Sequence, residues 1–184
     1  MARVVSYMEQ GENHKPSFDP KLLNPTFFMA EGSLLSNMTM GNAMIMRGRE
    51  DYFFSWDYSF DHHNEYEMDL GWKHYFNPNI SSVVGYRWTN EHGLKDRAFA
   101  GVEYRLPFLI YSTATIDSEG DARFLLEKDF QITSRLSASP SLQYDTASKW
   151  EYGIFADYML NAQFSLTAGY ESEHGMGLGI KFRF

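Results

Sequence analysis

The sequence predicts an all-β protein: a transmembrane antiparallel up-and-down β-barrel of about twelve strands, or ten if its first two segments are not strands. Three observations predict it. From Asp51 to Phe184 polar and apolar residues alternate in one phase, turn signals recur every 12 to 14 residues, and aromatic residues gather at both ends of the segments between turns. Of 30 charged residues in 51–184, 28 are odd-numbered, and of 27 aromatic residues 22 are even-numbered, including all four tryptophans. A period of two is that of a strand with two unlike faces, and it excludes helix. Directly opposed residues of an antiparallel pair share a face, so a constant parity requires connections of odd length or compensating bulges.

In chain order, residues 1–25, with Pro16, Pro20 and Pro25, read as an irregular leader, and 26–184 as one barrel domain. The first apolar segments, 27–36 and 38–47, supply two strands. Ten more follow near 51–60, 65–76, 80–89, 97–106, 108–117, 122–130, 134–144, 150–159, 162–171 and 175–184. Between them lie turn signals such as Asn77-Pro78-Asn79, Ser118-Glu119-Gly120-Asp121 and Glu173-His174-Gly175.

Composition narrows the function. A net charge of −8 supplies no basic stripe for phosphate, which excludes a nucleic-acid surface. The absence of cysteine removes disulfides, thiolate metal sites and a Cys nucleophile, leaving His, Met and carboxylates as metal ligands. No run of about 18 apolar residues exists to form a transmembrane helix, and the first nine residues lack the apolar core of a signal peptide. A barrel in lipid shows the hydrocarbon only alternate residues, so modest overall hydropathy agrees with it.

A soluble barrel would turn the aromatic face inward around a ligand. Strands of 9 to 12 residues suit tilted crossings of a bilayer instead. Phe60, Trp88, Tyr144, Trp150 and Tyr170 lie by one set of turns and Phe76, Phe108, Phe130 and Phe182 by the other, the two-girdle pattern of the lipid–water interfaces. The final Gly175–Phe184 strand reads as the C-terminal signal strand of bacterial outer-membrane barrels, which sets both termini on the periplasmic side. The odd face then lines the interior, with Glu65, Glu67, Asp69, Glu103, Glu127, Asp129 and Asp157 facing Lys73, Arg87, Arg97, Arg105, Arg123, Arg135, Lys181 and Arg183. Such charges either pair to hold the barrel shut or line a narrow polar pore.

One stretch carries a resemblance. Phe99-Ala100-Gly101-Val102-Glu103-Tyr104-Arg105-Leu106-Pro107-Phe108, the acidic turn Asp117-Ser118-Glu119-Gly120-Asp121, and Ala122-Arg123-Phe124-Leu125-Leu126-Glu127 through Thr133-Ser134-Arg135-Leu136 resemble the outer-membrane copper resistance protein B family. The likeness covers 51–184 and is strongest at 97–136. It implies a non-enzymatic outer-membrane barrel that binds or passes copper at the envelope. The Met/His-rich leader of that family has no counterpart in residues 1–25, which favours a second reading: a generic small barrel acting as scaffold, narrow pore or subunit of an envelope complex. A soluble ligand-binding barrel is the third.

Candidate metal ligands form two sets. Met38, Met40, Met44 and Met46 share one face of an extended strand, and thioethers suit Cu(I); apolar methionines on a lipid-facing strand give the same pattern. His62, His63, His92 and His174 fall in turns at one rim, with Asp61, Glu91, Glu171 and Glu173 nearby, a set that suits Cu(II), Zn(II) or Ni(II). His74, alone on the aromatic face, reads as interfacial. No Ser/His/Asp constellation at strand spacing points to an enzyme. The expected partners are therefore the lipid bilayer, a metal ion and other envelope proteins.

Overall fold

The computed structural model describes residues 25–60, 65–90 and 94–184. Its strands are β1 (Thr26–Leu35), β2 (Met38–Arg47), β3 (Glu50–Ser59), β4 (Tyr66–Asn77), β5 (Ile80–Thr89), β6 (Arg97–Leu106), β7 (Ile110–Asp117), β8 (Ala122–Glu127), β9 (Phe130–Gln131), β10 (Leu136–Asp145), β11 (Lys149–Met159), β12 (Phe164–Glu171) and β13 (Gly175–Arg183). The sheet is antiparallel, and β13 returns to β1 with Arg183 opposite Glu31. Ala30 and Phe184 exchange both backbone hydrogen bonds, at 3.0 and 2.8 Å, so the barrel closes without an edge exposed to lipid.

β8 and β9 hold one barrel position. Both pair with β10 in a single register, Glu127 opposite Ser141 and Phe130 opposite Ala138, and the barrel therefore has twelve strands. The interruption has a cause in the sequence. Pro140 faces the gap, where its carbonyl accepts from the Lys128 N–H at 3.2 Å, but proline has no N–H to return the bond.

The distal end of the barrel carries the turns β1–β2, β3–β4, β5–β6, β7–β8, β10–β11 and β12–β13; Pro25 and Phe184 lie at the other, terminal end. Beyond residue 51, every exposed large apolar side chain except Leu109 is even-numbered. Rings pair on this outer face near the distal end, Tyr144 with Trp150 and Tyr86 with Trp88, both at 4.9 Å, and near the terminal end, Phe182 with Phe184 at 6.0 Å. Lys128, which breaks the charge parity, lies 4.5 Å from the Phe130 ring in the terminal girdle. His74 sits in the same girdle, its Nδ1 2.6 Å from Glu50 Oε1. An apolar, aromatic-girdled exterior around a charged interior is the arrangement of a barrel that spans a bilayer.

The five odd-numbered aromatic residues face the lumen, and each has a specific partner. Phe53, Phe99 and Phe155 stand opposite Gly71, Gly85 and Gly169, where a methyl group would come within 2.4, 2.5 and 2.1 Å of the ring. Each ring thus covers a glycine on the neighbouring strand. Tyr111 lies 5.0 Å under the Arg105 guanidinium, and Tyr75 hydrogen-bonds Asp51.

One strand reverses the parity. The two-residue connections Ser36–Asn37 and Gly48–Arg49 flank β2, so its even residues face inward, with Met40 opposite Asp57 and Met44 opposite Phe53. Gly48 takes the left-handed φ of 66° that the second turn demands.

Candidate functional site: the charged lumen and its distal mouth

The distal mouth divides into two arcs. On β4 to β8 and β10, three arginines run in a continuous network. Arg87 grips Asp69 through Nε and Nη2, both at 2.7 Å. Arg123 reaches across the lumen to Glu67, with contacts of 2.7 and 3.0 Å, and also binds Asp145 at 2.9 Å. Arg97, only 2% exposed, lies 2.9 Å from Asp117 and 3.7 Å from Asp145. Buried charges persist only when paired and hydrogen-bonded, and here each guanidinium has at least one carboxylate.

The arc of β11 to β13 and β1 to β3 differs. Asp57, Glu151, Glu171 and Glu173, with Glu65 beside β4, line a cavity of about 140 Å³ at this mouth. Among the described residues none of the five has an ion pair with a cation. Asp57 Oδ1 and Glu171 Oε2 are buried atoms without a hydrogen-bond partner among the described residues. Glu173 lies in the turn outside the strands; desolvation and the neighbouring Glu151, Glu65 and Glu67 carboxylates raise its pKa above the ordinary 4.5, against the pull of Arg123.

Below this mouth a cavity of about 440 Å³ runs along β8 to β13 from Glu151 and Glu171 to Asp129 near the terminal end. A third, of about 300 Å³, shares Glu31, Met40 and Lys181 with it. Toward the terminal end three cations are also paired: Lys73 with Glu103 at 2.5 Å, and Lys181 and Arg183 with Asp157 at 3.3 and 3.4 Å.

Of the candidate ligands, His62, His63 and His92 lie outside the described residues. His174 is described, in the β12–β13 turn at the distal end, with its carbonyl accepting a 2.7 Å hydrogen bond from Asn37 Nδ2. It stands with Asp57 and Glu171; one donor atom of each lies within 4.8 Å of the others. Asp57 was not a candidate by sequence, since β3 and β12 meet only through barrel closure. Met38, Met40, Met44 and Met46 share the luminal face of β2 rather than a lipid-facing one. With about 3.3 Å of rise per residue, they are strung over about 26 Å, too far for four sulfurs to hold one ion.

No family profile matches the sequence, and no curated protein matches it. Solved structures do match. A KdgM porin superposes with a TM-score of 0.53 at 8% identity, over 86% of this chain and 99% of that one. The KdgM porin in complex with disordered oligogalacturonate gives 0.51 at 10%, over the same shares. A triple mutant of Rh. blastica porin matches at 0.45 and 15%, over 81% of this chain and 56% of that chain, so the chain spans little more than half that porin's length. None of these comparisons supports the copper-resistance resemblance. The KdgM likenesses show the fold, a closed antiparallel twelve-strand barrel of the porin kind.

Proposed function

We propose that residues 26–184 form a non-enzymatic barrel of the bacterial outer membrane, its termini periplasmic, which passes small cations and neutral solutes through an acid-lined lumen. One observation carries the reading. The luminal arginines at the distal mouth are bound to carboxylates, whereas Asp57, Glu65, Glu151, Glu171 and Glu173 have no paired cation among the described residues. Low-dielectric walls focus such a field and concentrate counter-ions at the mouth. A polyanion such as the oligogalacturonate held by one KdgM porin meets the wrong sign here. In a planar bilayer under a salt gradient, the reversal potential should show cation selectivity, and Glu151→Gln with Glu171→Gln should reduce it. Anion selectivity, or no conductance, would overturn the reading.

A second reading, metal passage of copper-resistance type, has one observation in its favour: the four β2 methionines face the lumen. Replacing all four with leucine keeps volume and apolarity, so loss of Cu(I) uptake by a correctly assembled barrel would report sulfur ligation. Unchanged uptake would remove these residues as a path.

A further inference from the structure

We propose that Asp57, Glu171 and His174 form a binding site for a divalent transition-metal ion of the Zn(II), Ni(II) or Cu(II) class at the distal mouth. Imidazole with two carboxylates is a donor set such ions prefer, whereas Ca(II) and Mg(II) take oxygen alone. The three donors lie within 4.8 Å of one another. A tetrahedral ion at about 2.1 Å from each would space them about 3.4 Å apart, so side-chain closure of at most about 1.4 Å completes the triad.

A second observation points to a ligand. Asp57 Oδ1 and Glu171 Oε2 are both shielded from solvent and have no hydrogen-bond partner among the described residues, and both residues line the same mouth cavity as His174. Carboxylate oxygens withdrawn from water without a donor are costly, and a cation between them removes the cost. The scaffold is set for this: Asn37, itself 4% exposed, holds the His174 carbonyl at 2.7 Å, and Gly175 makes the turn with a φ of 75°. Three strands, β13, β1 and β2, separate Glu171 from Asp57 around the wall, so a bound ion ties β12 to β3 and stiffens the mouth. The site uses the mouth geometry of the reading above but does not need solute to pass.

The test is titration of the full-length detergent-solubilised barrel with Zn(II), read by bound-metal content and by the temperature of heat-induced loss of the compact gel band. The expected result is one equivalent of Zn(II) per chain with an upward thermal shift. Asp57→Asn and His174→Gln should each weaken binding at least tenfold and abolish the shift, while Glu119→Gln in the β7–β8 turn leaves both unchanged. Glu171→Gln, nearly isosteric, serves if either variant fails to assemble. Absence of Zn(II) binding overturns the site. So does equal competition by Ca(II), which would mark a diffuse acidic mouth, and so does binding that survives the triad variants but falls on replacing His62, His63 and His92. A non-conducting barrel that binds Zn(II) in this way sinks the channel reading alone; a cation-selective one that binds none sinks this site alone.

Discussion

The two arcs of the distal mouth carry the same kind of carboxylate in opposite states. On the β4–β10 arc, Glu67, Asp69, Asp117 and Asp145 are bound to Arg87, Arg97 and Arg123. On the arc from β11 round to β3, Asp57, Glu151 and Glu171 face a cavity, with no cation paired to them among the described residues. The first arc is a brace across the lumen and the second is a surface left open to a solute or ion. An interior lined with both charges is thus neither wholly shut nor wholly a pore.

The largest expected effect follows from breaking the brace. Arg97→Met leaves Asp117 and Asp145 buried without their 2.9 and 3.7 Å partner, and removing one member of a buried pair costs about 3–5 kcal/mol. Glu171→Gln on the other arc removes a charge that has no paired Lys or Arg among the described residues and should be neutral or slightly stabilising. Equal losses in denaturant unfolding from bilayers would erase the distinction between the arcs.

The next contrast sets the two sides of a single strand of the acidic arc against each other. Ile154 on β11 is 52% exposed on the outer face, and Ile154→Arg near the midplane should cost about 2–4 kcal/mol of insertion. Glu151→Arg, three residues away on the luminal face, places a cation among carboxylates and should be tolerated. Equal tolerance of both in an insertion assay would sink the assignment of faces.

These faces were legible because parity survives every connection from β3 to β13, the Tyr75/Asn77 irregularity between β4 and β5 aside. The β2 reversal was hidden: even-length turns flank it, and methionine's apolarity fits lipid and lumen alike. The role of the odd-face aromatics was hidden because the glycines beneath Phe53, Phe99 and Phe155 belong to other strands. The Asp57–Glu171–His174 group was only half legible: Glu171 and His174 are three residues apart and read together at one rim, whereas Asp57 lies 114 residues before Glu171 and joins them only once β13 pairs with β1. The resemblance at 97–136 rested on residues that any barrel of this build needs: glycine against a neighbouring strand, proline at a turn, alternating charge.

Those glycine–aromatic pairs give a finer comparison. Phe99 over Gly85 is buried and pinned by Arg87 at 5.2 Å, whereas Phe155 over Gly169 borders the large cavity. Overpacking costs about 1–3 kcal/mol. Gly85→Ala, which also meets the Leu70 carbonyl at 2.7 Å, should fall at the upper end. Gly169→Ala should fall at the lower end, as the Phe155 ring can tilt into the cavity. The reverse order in thermal melts would mean that the acidic arc is the more tightly packed.

The smallest effect is a pH dependence confined to the acidic arc. Desolvation and the carboxylates of Glu151, Glu65 and Glu67 raise the Glu173 pKa above 4.5, so the folded barrel binds its proton more tightly than the unfolded chain does. Between the ordinary value and the raised one the native state therefore carries more protons, and stability falls as pH rises through that window. It is regained on acidification. Glu173 is exposed, so solvent screening keeps the contribution small. Glu173→Gln should flatten this part of the stability profile. A profile that Glu173→Gln leaves unchanged, measured as gel-shift temperature from pH 4 to 8, would show that the mouth carboxylates do not feel one another.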